Sequence, residues 1–327
     1  MSNTVLILHN PKSGFRHATD VIGLLGSTLS KSGFSIETHD SLDVFEKRVG
    51  QLVSSNELRA VIVAGGDGTA AAVAARTPPL TPLWLCPLGT ENLLARYLGM
   101  TVDPAQATAA IHRMKTRTLD AGLANGRLFL IMVGVGFDAE VVRLVHTRRK
   151  GHIRKWHYWL PILKTVFRYR FPVLRLKEPF TSVQLPDGKE LPVKDFPIRT
   201  LGDTRQACSR TLEAAWFFLL NLPRYAAGLD ISPDSRGDDG LIDVCAFKYG
   251  GLFRGLYYFA RLRTGTHAKL SDFICLQSSK FRIEVGQATD LQVSYQIDGD
   301  WGGYLPLEVE CLPNRLSVIE PVIEPLA

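Results

Sequence analysis

RAVIVAGGDGTAAAVAAR, residues Arg59 to Arg76, runs from an apolar stretch through a glycine turn into an alanine-rich stretch. Ala60 to Ala64 is short and carries β-branched residues, so it reads as a strand buried on both faces, while Thr69 to Arg76 reads as a helix. Between them stands Gly65-Gly66-Asp67-Gly68-Thr69. Glycine lets the main chain take positive φ and lets a ligand come close, and the Thr69 hydroxyl is placed to cap the helix. A strand, a glycine turn and a helix N-terminus together form a phosphate site, although an ordinary tight turn of an α/β protein uses the same residue types. Asp67 sharpens the choice. A carboxylate beside a phosphate repels it unless a metal ion lies between them or the carboxylate handles a proton, so Asp67 points to catalysis.

Working outward, a second apolar run, Pro82 to Cys86, leads into PLGTENLLARYLG, Pro87 to Gly99, where a strand again ends in Gly89-Thr90 and Glu91 and Asn92 open a helix. Towards the N-terminus, Val5 to Leu8 reads as a strand closed by Asn10-Pro11. Lys12 follows, either as a phosphate contact or as a solvated turn lysine. Residues 17–31 read as a helix, Phe34 to Thr38 as a strand and Val44 to Val53 as a helix. Strands alternating with helices imply a parallel sheet with right-handed crossovers, and ligands of such sheets bind at the carboxyl ends of the strands. Asn10, Thr38, Gly65 and Pro87 all stand at such ends. Asp103 to Met114 reads as a further helix and Lys115 to Asp120 as the strand that leaves this domain, with a boundary near Leu119.

The chain has 327 residues, a formal net charge of +6 and a pI near 9.1, enough for two domains and permissive of an anionic partner. Its cysteines at 86, 208, 245, 275 and 311 contain no CxxC spacing, so neither a disulfide framework nor a zinc site is indicated. No apolar run reaches the roughly 20 residues that span a bilayer. The expected location is the cytosol, with any membrane contact peripheral.

Strand signals dominate the second half. Leu123 to Gly136 alternates around Asn125-Gly126, a hairpin signal, and Gly136-Phe137-Asp138 opens a helix with a stabilising carboxylate. Residues 141–177 hold eleven Lys or Arg and no Asp or Glu, interleaved with Trp156, Tyr158, Trp159, Phe167, Tyr169 and Phe171. This composition suits a lipid head-group surface, a nucleic acid, or a solvated helix with its aromatics inward. ISPDSRGDDGLIDV, Ile231 to Val244, clusters carboxylates around a glycine turn and is either an acidic turn or a hard-cation site for Mg²⁺ or Ca²⁺. Leu212 to Leu222, Phe281 to Val285, Gln292 to Ile297 and Leu316 to Ile319 read as strands and Leu252 to Leu262 as a helix. Asp298-Gly299-Asp300 ends one of those strands, as many hairpin turns do.

Asn10-Pro11-Lys12-Ser13-Gly14, then GGDGT, then PLGTENLLARYLG, in this order, resemble the diacylglycerol kinase catalytic domain family, which includes bacterial lipid kinases and the sphingosine and ceramide kinases. The resemblance implies an α/β nucleotide-binding domain with a parallel sheet, like that of NAD kinases and phosphofructokinases. That domain would comprise residues 1–119 joined by a C-terminal strand in 312–327, with a mainly β lipid-substrate domain at 120–311 and the active site between them. It implies ATP, held by Asn10, Lys12, Thr38, Gly65, Gly66, Asp67, Gly68, Thr69, Gly89, Thr90 and Asn92. A structural Mg²⁺ would be held by Asp239 with the carbonyls of Arg236 and Leu241. Asp298-Gly299-Asp300 matches the family's DGE signature with Asp in place of Glu; Asp298 is expected to act as base, with Asp300 as its support or substitute. Asp67 would sit at the metal and phosphates. The implied partner is a lipid at a membrane surface reached through 141–177, and not a nucleic acid. An NAD kinase-like enzyme shares GGDGT. A lipid- or nucleotide-binding protein without activity is suggested by Ala70 to Ala72 after that motif and by Asp300.

Overall fold

The computed structural model describes residues 3–11, 17–147, 169–177, 183–184, 190–191, 211–225, 229–286 and 291–322. Lys12 and most of the basic aromatic stretch, residues 148–168, lie outside the described residues. The chain divides into Met1–Ala121 with Pro313–Ala327, and Gly122–Leu312.

In the first unit, β1 (Thr4–His9), β2 (Ser35–His39), β3 (Leu58–Gly65) and β4 (Pro82–Pro87) are parallel, and Ser317 and Val318 of the last strand, β20 (Leu307–Ile319), join them beside Pro82 and Leu83. The order is β2-β1-β3-β4-β20. Val5 to Leu8 and Ala60 to Gly65 are buried throughout, as strands of a parallel sheet covered on both faces must be. Five helices accompany the sheet: α1 (Ala18–Lys31), α2 (Leu42–Ser54), α3 (Asp67–Arg76), α4 (Leu93–Tyr97) and α5 (Pro104–Arg113). α1 buries Ala18, Ile22, Leu25 and Leu29, one stripe at helical spacing. The N-cap of α5 is Asp103, whose carboxylate accepts the Ala105 N–H at 2.9 Å, with Pro104 at the first helical position.

The second unit is a β sandwich. One antiparallel sheet runs β16-β15-β12-β7-β18-β19, formed by Phe273–Ser278, Ile242–Phe247, Trp216–Leu220, Met132–Val135, Ser294–Ile297 and Asp300–Tyr304. The other includes β8 (Leu174–Lys177), β11 (Thr211–Ala214), β17 (Lys280–Val285) and the start of β20. Short ladders pair β9 (Val183–Gln184) with β10 (Glu190–Leu191), and β13 (Arg224–Tyr225) with β14 (Leu229–Asp230). β5 (Thr116–Ala124) and β6 (Arg127–Phe129) form the expected hairpin, with Asn125 at φ 47° and Gly126 at φ 79° in its turn. Inward residues of both sheets, among them Phe129, Val133, Phe217, Leu219, Val244, Phe281 and Val309, make one buried core. Among the described residues two helices belong here, α6 (Phe137–Thr147), which carries Asp138 in its first turn, and α7 (Leu252–Arg263).

The expected strand Leu212 to Leu222 is two strands, interrupted at Ala215, and the last strand is longer than the four residues from Leu316. Alternation in Leu307–Cys311 marks a half-buried antiparallel strand, which a search for continuous apolar runs passes over.

Candidate active site

The turns after β3 and β4 meet. A Cβ on Gly89 would stand 2.5 Å from the Gly66 Cα and 2.7 Å from the Asn92 Oδ1, so only glycine lets these two main chains approach. A Cβ on Gly65 would stand 2.6 Å from the Thr69 hydroxyl. The Leu88 N–H donates to the Gly65 carbonyl at 3.0 Å, and Asn92, at φ 51°, clamps Gly89 from both sides: its Oδ1 accepts the Gly89 N–H and its Nδ2 donates to the Gly89 carbonyl, each at 2.9 Å.

Thr69 is not the cap of the following helix. α3 starts two residues earlier, at Asp67, with Gly66 as an N-cap lacking any side-chain hydrogen bond. Gly66 offers the first turn no side-chain oxygen of its own, and the Thr69 N–H donates to the Gly66 carbonyl at 2.9 Å; a helix N-terminus with a glycine cap favours an anion. The Thr69 hydroxyl instead accepts a hydrogen bond from the Asn10 Nδ2 at 3.0 Å, tying the end of β1 to the first turn of α3. Thr38 lies on β2 at the sheet edge, opposite Ile7. Gly68 is in the first turn of α3 and Thr90 is exposed beside Gly89.

Asp67 has a structural duty that the sequence did not show. Its Oδ2 accepts the Leu93 N–H and its Oδ1 the Leu94 N–H, both at 3.0 Å, so the carboxylate fixes the start of α4 to the glycine turn. Burial pushes the Asp67 carboxyl above its ordinary value; the Leu93 and Leu94 N–H groups pull it back and Glu91 pushes it further up.

The carboxylates of the second motif differ sharply. Asp298 Oδ2 accepts the Leu130 N–H at 2.8 Å, and its Oδ1 accepts those of Ile131 at 3.0 Å and Met132 at 2.9 Å. Three of the roughly four lone-pair positions of a carboxylate are thereby directed at the main chain. Asp298, expected from the sequence to act as the proton acceptor, thus holds the connection before β7 against the turn after β18. Asp300, which opens β19, has a side chain 45% exposed and only a long contact, 3.6 Å, with Arg127. It is the carboxylate of the motif with the fewer protein partners.

In the acidic turn, the Asp239 Oδ1 accepts the Leu241 N–H at 3.0 Å and its Oδ2 takes a long bond from Gln277 at 3.4 Å. Beside it Asp243 is buried with its Oδ2 unpartnered, and burial, with Asp239 adding to it, pushes its carboxyl up to about 6. No set of three or more His, Cys, Asp or Glu side chains among the described residues stands ready to share one ion. An oxygen-only donor set with a buried, unpartnered carboxylate oxygen nevertheless has the chemistry of a hard-cation site. Asp243 is one of the carboxylates clustered in Ile231 to Val244, and it differs from the others in standing on an apolar strand, Ile242 to Phe247.

Comparisons with known proteins cover both units. The family model described as the diacylglycerol kinase catalytic domain matches residues 4–124, and that of the YegS C-terminal NAD kinase beta sandwich-like domain matches 131–320. The diacylglycerol kinase of Bacillus subtilis is 24% identical over 322 residues, covering 96% of this chain and 95% of that protein. The diacylglycerol kinase of Mycobacterium tuberculosis is 27% identical over 333 residues, covering 94% and 97%. A crystal structure of a Bacillus anthracis diacylglycerol kinase shares the fold at a TM-score of 0.64 with 20% identity, covering 98% of this chain and 97% of that one. With both of its units matched by adjoining family domains, the chain belongs to the diacylglycerol kinase catalytic domain family.

Proposed function

We propose that the protein is an ATP-dependent lipid kinase that transfers the γ-phosphoryl group of ATP to a lipid hydroxyl. The observation that carries this reading is the pair of glycine turns in main-chain contact beside an uncapped helix N-terminus, inside the region matched by the catalytic domain. Phosphoryl transfer asks a protein mainly to position its reactants and neutralise charge. Gly65, Gly66, Gly68 and Gly89 allow phosphates to approach the main chain, Asn10 and Thr69 hold the rim, and Asn92 and Asp67 fix the second turn. Lys12 and Thr38 complete the nucleotide contacts in this reading. Asp300 accepts the hydroxyl proton. The bound ATP supplies the transferred group, and everything else is arranged by the chain.

The relatives named diacylglycerol kinases favour a lipid over NAD as acceptor. The test offers labelled ATP with diacylglycerol, sphingosine, ceramide, phosphatidylglycerol and NAD. Label transferred to one lipid is expected; label on NAD alone, or on none of them, overturns the reading.

Asp239, with the carbonyls of Arg236 and Leu241 and the buried Asp243 beside them, would hold Mg²⁺. A cation bound only by the native state stabilises by mass action, about 2.7 kcal/mol at a hundredfold excess over Kd. Mg²⁺ is expected to raise the melting temperature and EDTA to lower it, and both effects should vanish in Asp239→Ala. A wild-type melt indifferent to Mg²⁺ removes the site.

A further inference from the structure

The helix α7, LFRGLYYFARLR, is turned outward. Phe253, Leu256, Tyr257 and Ala260 follow the i, i+3, i+4, i+7 spacing of an apolar stripe, and in a surface helix such a stripe faces the core. Here all four are exposed, Phe253 at 84% and Leu256 at 59%, and Phe259 beside them is 56% exposed. The side facing the protein is the narrow one. Tyr258 is buried and donates to Asp272 at 2.7 Å, and Gly255 lies so close to the Trp216 ring that a Cβ there would be 3.2 Å from it. Tyr249, just before the helix, is also exposed.

Charge says what this face fits. From Val244 to Ser271 the chain has five cations, Lys248, Arg254, Arg261, Arg263 and Lys269, and no carboxylate. Arg254 and Lys248 lie over the Tyr249 ring, at 5.2 and 5.6 Å from its centroid, and Arg261 lies 6.0 Å from that of Tyr257. Among the described residues, carboxylates on this side include Asp272, which Arg254 and Tyr258 engage, and Asp230 on β14, the strand against which the helix packs. Exposed Phe, Leu and Tyr flanked by arginines form the pattern of a helix lying in a bilayer interface, its apolar stripe among the acyl chains and its cations at the head groups. A second copy of the chain would bring the same cations against these, so self-association is the poorer fit.

We propose that α7 is a membrane-docking element for an anionic bilayer, entering with Phe253, Leu256, Tyr257 and Phe259 and held by the surrounding Arg and Lys. It rests on the lipid-kinase reading only for its use, which is to bring the enzyme to a substrate that resides in a bilayer.

The experiment measures co-sedimentation of the full chain with vesicles of phosphatidylcholine alone and of phosphatidylcholine with phosphatidylglycerol. Binding should need the anionic lipid and weaken with salt, because screening shortens to about 3 Å at 1 M ionic strength. The double variant Phe253→Ser, Phe259→Ser should bind at least about tenfold more weakly, since burying one large apolar side chain is worth that much or more. Both positions are exposed, so its melting temperature should equal that of the wild type. Phe253→Trp should shift its emission to the blue on anionic vesicles and be quenched by brominated acyl chains. With a short-chain diacylglycerol dispersed as monomers the double variant should turn over like wild type, and with vesicle-embedded diacylglycerol it should be slower. Vesicle binding through α7 without phosphorylation of any lipid supports the surface and removes the kinase reading. Equal vesicle binding by wild type and double variant overturns the surface, whether or not the enzyme is active. So does loss of a dimer in the double variant with vesicle binding intact.

Discussion

Asp300→Asn is expected to lower kcat by about a hundredfold to ten-thousandfold, the usual worth of a positioned proton acceptor. A lipid hydroxyl is a poor nucleophile at neutral pH, and its proton must leave as the bond to phosphorus forms. Of the two carboxylates in Asp298-Gly299-Asp300, Asp298 is engaged by three main-chain N–H groups, whereas the Asp300 side chain is 45% exposed and its contact with Arg127 is 3.6 Å long. Nucleotide affinity should change little, because the phosphate turns belong to the other unit. Asp300→Glu, which restores the residue of the family signature, should keep activity: the extra methylene projects the same group from an exposed position. The measurement is steady-state kinetics beside nucleotide binding for both variants and for Arg127→Gln. Near-normal turnover by Asp300→Asn would place the proton acceptor elsewhere, and loss of nucleotide binding in that variant would make its role a structural one.

The sequence made the first unit legible because its signals are local. A buried strand such as Ala60 to Ala64 is a continuous apolar run, a glycine turn ends it, and the carboxyl ends of neighbouring strands come together by the rules of parallel sheets. What stayed hidden was set by contacts distant in sequence. That Asp67 bonds to Leu93 and Leu94, and that Gly66 touches Gly89, depends on the register of β3 with β4, and no spacing within either motif contains it. The same holds for Cys245 and Cys275, thirty residues apart, which face each other across β15 and β16 with their Sγ atoms 2.9 Å apart. The outward stripe of α7 was hidden for another reason. Periodicity tells that a helix has an apolar face, and only the fold tells which way that face points.

Asp298 provides the sharpest separation of structure from chemistry. Its carboxylate satisfies three N–H groups of residues that are themselves buried, Leu130, Ile131 and Met132, and the residue holds a positive φ of 48°. Asp298→Ala removes the acceptor and leaves all three donors unpaired. An unsatisfied buried donor costs about 1–3 kcal/mol, and the left-handed conformation adds about 1–2 kcal/mol for alanine. The losses overlap, since the loop can relax toward water, so the expected destabilisation is about 3 kcal/mol or more. Asp298→Gly separates the two contributions, because glycine takes positive φ freely while still lacking the oxygens; it should recover the conformational part only. Asp298→Asn keeps one acceptor oxygen and a residue tolerant of this backbone, so it should be the mildest in urea or thermal unfolding, and its kcat should fall by less than about tenfold where loss of a proton acceptor costs a hundredfold or more. A stable Asp298→Asn protein with kcat reduced a thousandfold would return the proton-acceptor role to Asp298 and reduce Asp300 to its support. An Asp298→Ala protein as stable as wild type would show that the three N–H groups find other partners.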